Sequence, residues 1–190
     1  MSPQPESTKQ LPAKTFLPDC NLSPDDYLLA CIELLQRMKA AMFPCVIYED
    51  SKGNIIKSPK EPGWRHVKYN PHLNPKHLGK IFGITLQDDE VVIDSDFRRF
   101  RENHHESKEL WKRLSLPEPN FIVKTRGGFH FYYSKTNELL LRTYIPETGA
   151  TPNTCIELKT CRNFIIGPGS RYPDELGGFQ YRILKAELNL

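Results

Sequence analysis

The chain has 190 residues, of which 38% are hydrophobic and 11% aromatic, which is enough to bury the core of one domain with a small satellite. Its formal net charge of +3 and pI of about 8.5 suit a nucleic-acid or nucleotide partner but do not demand one. No apolar run is long enough to span a membrane, and five cysteines without C-x-x-C spacing argue against a disulfide framework. We therefore expect no membrane partner and an intracellular protein with reduced thiols.

The first part of the chain predicts a flexible lead-in followed by one scaffold helix. Residues 1–20 carry four prolines and few bulky apolar side chains. Ser23 is a suitable N-cap, and apolar residues then recur at helical spacing until Pro44. We predict a scaffold helix at 21–44 and the core of the domain at 45–190.

Downstream, short apolar runs separated by turn residues predict strands. The runs lie at 45–50, on both sides of a polar turn at 87–90, on both sides of Gly127-Gly128 as a hairpin, on both sides of a turn within 154–170, and at 177–184. Residues 55–67 are rich in proline and glycine and predict a loop, while 98–116 predict a charged helix. Because strands and helices mix without regular βαβ alternation, the predicted fold class is α+β.

Two carboxylates end the strand "VVIDSD" (91–96). Alternate strand residues project to the same face, so Asp94 and Asp96 lie side by side and repel each other. Basic partners or a divalent metal would hold them there, and Mg²⁺ prefers carboxylate oxygens. The alternative is a strand-to-helix junction in which Asp96 caps the following helix.

The stretch "RGGFH" (126–130) combines a cation, two glycines and a histidine. The glycines allow close backbone approach, and Arg126 is a fixed cation suited to phosphate. His130 and Tyr132 share one strand face, and the opposite face is expected to be core: Phe129, Phe131 and Tyr133. His130 is thus either a phosphate ligand or an ordinary half-buried histidine.

Two further elements follow near the C-terminal end. Glu157 sits among apolar neighbours, so it needs a partner, which is either Lys159 on the same strand face or a metal that it binds as a third carboxylate. The loop "GPGSR" (167–171) adds glycines, the Ser170 hydroxyl and a cation, a combination that can contact phosphate but is common in loops.

In this order, the motifs resemble those of the archaeo-eukaryotic primase-polymerase superfamily, and most closely the primase-polymerase domains of phage and plasmid replication proteins. The matching pieces are "VVIDSD", "RGGFH" and "IELKTCRNFIIGPGS", with "KSPKEPGW" and "FGITL" upstream and "GGFQYRIL" downstream. The likeness covers roughly residues 45–184. It implies an RRM-like catalytic sheet joined to a smaller N-terminal α/β module, with the active site in the cleft between them.

The resemblance also implies a role for each motif residue and a set of partners. The two divalent ions, Mg²⁺ or Mn²⁺, would be held by three carboxylates: Asp94, Asp96 and Glu157. The incoming nucleotide would be contacted by a second group: Arg126, Gly128, His130, Lys159 and Ser170. Many relatives carry Asp where this chain has Glu157, which keeps the carboxylate but lengthens it. The implied partners are a single-stranded DNA template with a primer, dNTPs or NTPs, and a fused or associated replicative helicase. The implied location is the cytoplasm of a bacterial, archaeal or virus-infected cell.

Other functions remain open at this point. The fold could serve as a catalytically inactive RRM-like nucleic-acid-binding module of a replication initiator, although all three acidic positions are occupied. A metal-dependent nuclease would use the same carboxylates but needs no triphosphate pocket. A rolling-circle nicking enzyme would need a His-x-His pair, which the adjacent His104 and His105 do not supply. A zinc site that joins cysteines to His66, His72 or His77 has no recognisable spacing.

Overall fold

The structure, a computed structural model, describes residues 17–88, 90–96, 118–134, 156–161 and 163–186. Within these ranges the α-helices are α1 (Pro24–Arg37) and α2 (Pro75–Leu78), and 3-10 turns cover Trp64–His66 and Asp174–Leu176. The strands are β1 (Ala41–Glu49), β2 (Ile55–Pro59), β3 (Phe82–Thr85), β4 (Glu90–Asp96), β5 (Phe121–Lys124), β6 (Gly128–Ser134), β7 (Ile156–Lys159), β8 (Phe164–Ile166) and β9 (Arg182–Ala186). The protein is therefore α+β, as the sequence predicted. The predicted helix at 98–116 and most of the lead-in lie outside the described residues.

The strands form two antiparallel sheets. One has the order β2-β1-β3-β8 and the other the order β7-β4-β6-β5-β9. The chain crosses between the sheets after β3, after β7 and after β8. The first two crossings touch where the Leu86 N–H donates to the Asn163 carbonyl at 3.2 Å. The strand-turn-strand pattern predicted at 154–170 is thus correct, but its two strands belong to different sheets. The hairpin predicted around Gly127-Gly128 is confirmed as β5 paired with β6.

Helix α1 is the scaffold that the sequence predicted. The Ser23 hydroxyl accepts a hydrogen bond from the Asp26 N–H at 3.2 Å and so caps the helix. Its apolar face packs into both hydrophobic clusters of the protein. The Tyr27 hydroxyl accepts the Ile183 N–H at 2.8 Å, which ties the helix to β9 in the five-stranded sheet. None of the helices in the described ranges is both long enough and apolar enough to cross a membrane.

The predicted end of the helix is wrong. Helix α1 ends at Arg37, Lys39 adopts a left-handed backbone with φ 58°, and β1 begins at Ala41. Pro44 therefore lies inside a strand, opposite Phe82 of β3. The helical spacing of apolar residues continued past Arg37 by coincidence, and pairing with β3, which is distant in sequence, decided the conformation.

The loop predicted at 55–67 is also wrong in part. Residues Ile55–Pro59 form β2, an edge strand that pairs only with β1 in its sheet. Proline is tolerated at the end of an edge strand, where its missing N–H breaks no pairing. This strand matters for the site because it carries Lys57.

Candidate functional site

Three of the predicted site residues form one row across adjacent strands. Asp94 of β4 pairs in register with His130 of β6 on one side and with Glu157 of β7 on the other. Directly opposed residues of antiparallel strands project to the same face of a sheet. Asp96 lies two residues further along that face, opposite Gly128. The structure thus brings three carboxylates and an imidazole together on one face.

His130 is buried rather than half-buried, with 2% of its surface exposed. Its Nε2 lies 3.5 Å from Asp94 Oδ1. The pKa of His130 is lowered to about 4, chiefly by burial; Asp94 and Asp96 oppose the shift, and the charges of Lys57 and Lys159 add to it. The imidazole is therefore neutral at pH 7. Its Nδ1 is buried and has no hydrogen-bond partner among the described residues.

The expected core face of β6 is only partly core. Tyr133 is buried, but Phe129 and Phe131 are partly exposed. The opposite face holds the buried His130, and Tyr132 on that face packs against both hydrophobic clusters. The reason is that the face of β6 that carries His130 and Tyr132 turns toward the interior of the protein, and the face that carries Phe129 and Phe131 does not.

Glu157 forms an ion pair with Lys159, and the distance between Lys159 Nζ and Glu157 Oε1 is 2.5 Å. The carboxylate is partly exposed, so the pair is a half-buried surface feature. Within the described residues no group of three or more His, Cys, Asp or Glu side chains is arranged to hold a metal ion.

The donor set nevertheless fits hard divalent cations, because three carboxylates on one sheet face supply the oxygen ligands that such ions prefer. The Glu157 carboxylate must break its ion pair with Lys159 before it can bind a metal ion together with Asp94 and Asp96.

Two cations, Arg126 and Lys57, contact a buried pair of tyrosine rings beside His130. The Arg126 guanidinium lies 5.1 Å from the centre of the Tyr172 ring. Tyr172 stacks on Tyr181 with 6.0 Å between ring centres, and the Tyr181 ring lies 5.9 Å from that of His130. Lys57 of β2 places its Nζ 6.0 Å from the centre of the Tyr181 ring. The buried tyrosine pair therefore links Arg126 to His130 through successive side-chain contacts, and Lys57 lies over Tyr181, the ring that neighbours His130.

Lys57 is the residue that sequence reasoning missed. The proline and glycine residues of "KSPKEPGW" predict a loop, and this segment is similar to one in the primase-polymerase family. Neither feature points to a role for Lys57. Had β2 been recognised as a strand, the alternation in "IIKSP" would have put Lys57 and Ile55 on one face.

Gly128 is explained by packing. A Cβ at this position would lie 1.7 Å from the Ser95 carbonyl oxygen, so only glycine lets β6 approach β4 beside Asp96. The Gly128 N–H donates to Thr125 Oγ1 at 2.9 Å, and its carbonyl accepts the Thr125 N–H at 2.9 Å. Both backbone groups are thus used within the hairpin turn. Its part in nucleotide binding stays a prediction.

Ser170 lies in the interior of the protein. It is fully buried, its Oγ accepts the Phe82 N–H at 3.1 Å, and it donates to the Phe82 carbonyl at 3.4 Å. The adjacent Gly169 has φ +86°, and a Cβ there would lie 2.9 Å from the Leu28 Cα. Gly169 and Ser170 therefore pack this loop against α1 and β3, and the part of Ser170 in nucleotide binding stays a prediction.

Comparisons with known proteins add no family to this picture, because the chain matches no protein-family model and no curated protein.

Proposed function

We propose that this chain is a DNA primase-polymerase domain, which transfers nucleotidyl groups from dNTPs or NTPs onto a primer or an initiating nucleotide on a single-stranded DNA template. The observation that carries the proposal is the in-register row of Asp94, His130 and Glu157, with Asp96 beside it. A fused or associated replicative helicase belongs to the same proposal as a partner.

The fold assignments belong to the proposal as well. The five-stranded sheet, which carries the row, would be the RRM-like catalytic sheet. The four-stranded sheet with α1 would be the smaller module, and the active site would lie in the cleft between them. The effect of Lys57, which belongs to the four-stranded sheet, on the pKa of His130 supports this arrangement because the two residues must be close.

The residues of the chain can bind and orient a nucleoside triphosphate. Arg126 and Lys57 supply positive charge against the phosphates, and the neutral His130 lies beside Asp94 in the same row. When Asp94, Asp96 and Glu157 hold two divalent ions, these supply charge stabilisation for the attacking and leaving oxygens. Lys159, once Glu157 has turned away from it, becomes a further cation for the phosphates.

The direct test is primer extension on single-stranded DNA with dNTPs and Mn²⁺ or Mg²⁺. We expect the Asp94→Asn variant to lose extension, since it keeps the size of the side chain but removes the central charge of the row. The Asp25→Asn variant, which changes an exposed carboxylate in the first turn of α1, is the matched control and should extend normally. Equal extension by the two variants would refute the assignment of Asp94, and shortening of the primer in place of extension would indicate a nuclease.

The His130→Ala variant tests the nucleotide pocket. We expect KM for the nucleotide to rise and kcat to change less, because His130 would contact the triphosphate and not the primer. Circular dichroism and thermal melting of the variant are needed alongside, because a buried ring is removed. Unchanged nucleotide affinity and rate in a folded variant would leave His130 as a packing residue.

The Glu157–Lys159 pair favours one second candidate, an inactive nucleic-acid-binding module. A site that keeps this pair holds no metal through Glu157. Mn²⁺ binding, followed by water-proton relaxation in wild type and in the Asp94→Asn variant, separates the candidates. Binding that the substitution abolishes supports the polymerase, whereas DNA binding without Mn²⁺ binding supports the module.

A further inference from the structure

A second charged region lies apart from the carboxylate row. Residues 57–80 hold six lysines and arginines and one acid, Glu61, although the whole chain has a formal net charge of only +3. Within the described ranges no ion pair involves any of these six cations. Arg65 and Lys68 are exposed. This part of the surface therefore attracts anions without internal compensation.

The cations are presented by an anchored element. Arg65 belongs to the 3-10 turn Trp64–His66, and Thr85 Oγ1 donates to the Trp64 carbonyl at 2.9 Å, which ties this turn to β3. The Trp64 ring packs with Phe164 at 4.8 Å between ring centres. The Arg65 guanidinium lies 4.6 Å above the same Trp64 ring. Arg65 is thus held in place before any ligand arrives, which reduces the entropy lost on binding.

A groove of about 810 Å³ runs beside this turn. One wall comes from the basic segment, with Arg65, His66 and Lys68. The rest of the lining includes Gln87, Asp88 and Cys161, which belong to the first two crossings between the sheets. Cys161 follows Lys159 by two residues, so the groove begins where β7 ends.

We propose that this groove binds the sugar-phosphate backbone of a single-stranded nucleic acid, with Arg65 and Lys68 contacting phosphates. Positively charged grooves that follow the backbone are the common device for single strands. The carboxylate row repels phosphate in the absence of cations, so a strand needs an anchor outside it, and the groove supplies one. This binding requires neither metal nor nucleotide and does not depend on nucleotidyl transfer.

Salt-dependent binding of a labelled oligo-dT in EDTA, measured by fluorescence anisotropy, tests the groove. Each phosphate contact to a single strand contributes a slope of about −0.7 in log K against log salt. The Arg65→Ala/Lys68→Ala variant should therefore lose about 1.4 from the slope and bind about 25-fold more weakly at about 0.1 M salt. The control is Lys52→Ala/Lys124→Ala, which removes the same charge from exposed positions that do not line the groove and should keep the slope.

Equal weakening in the two double variants, or an unchanged slope in the groove variant, would overturn the proposal. A duplex that binds as tightly as the single strand would overturn the choice of ligand. Because Arg65 covers Trp64, a thermal melt accompanies the assay, and Lys68→Glu, at an exposed side chain, is the second variant if the first is unstable. Lys68→Glu should weaken oligo-dT binding, and wild-type affinity in this variant would also overturn the proposal. Loss of extension in the Asp94→Asn variant has no bearing on these results, so the two proposals fail separately.

Discussion

Replacing Ser170 by alanine separates a structural role from a nucleotide-binding role. The Ser170 hydroxyl accepts the Phe82 N–H in a site from which solvent is excluded. Alanine leaves that N–H without its acceptor, and an unsatisfied buried donor costs about 1–3 kcal/mol. For a chain of this length a loss of about 2 kcal/mol lowers Tm by about 4–8 °C.

Ser95 provides a matched control for this measurement. It is also fully buried, but its hydroxyl has no hydrogen-bond partner among the described residues. Removing an unsatisfied buried hydroxyl should leave stability unchanged or raise it. We expect Ser95→Ala to melt at or above the wild-type Tm and Ser170→Ala to melt below it, by calorimetry or by circular dichroism in denaturant.

The comparison also bears on the nucleotide pocket. We expect the Ser170→Ala variant, at a temperature where it is folded, to keep the wild-type KM for nucleotide in primer extension. Equal Tm values for the two serine variants would refute the hydrogen-bond reasoning. A raised KM without a change in Tm would restore Ser170 to the pocket.

Two further predictions follow from the site and the core. Lys57→Ala should raise the nucleotide KM about tenfold, as expected for one charge-assisted contact, while Lys52→Ala in the β1–β2 turn should not, and equal values would remove Lys57 from the site. Burial raises the pKa of Cys31 and of Cys45 from 9.0 to about 12. Both thiols should therefore resist alkylation in the native protein, whereas the exposed Cys161 should react. Peptide mapping measures the alkylation of each of the three cysteines separately. Above pH 9 the unfolded chain releases thiol protons that the folded chain keeps, so the free energy of unfolding should fall as pH rises, and an unchanged free energy would contradict the burial of these thiols.

Much of the site could be predicted from the sequence because its signals are local. Strand alternation puts Asp94 and Asp96 on one face, and it does the same for Glu157 and Lys159. The Gly127-Gly128 pair marks the hairpin that carries His130. The sequence did not predict features that depend on residues distant in the chain. The strand conformation of residues 41–44 depends on pairing with β3, and the buried hydrogen bonds of Ser170 depend on Phe82.

The sequence by itself determined which side chains share a strand face, where the turns fall and where the positive charge is concentrated, because these follow from backbone periodicity and composition. Only the tertiary structure decided that Asp94 stands between His130 and Glu157, since register between strands is set by pairing across long stretches of chain. It also decided that Lys57 of the four-stranded sheet lies beside Tyr181, the neighbour of His130, and that Glu157 pairs with Lys159. Burial, which depends on everything packed around a residue, is what made His130 neutral and Ser170 structural.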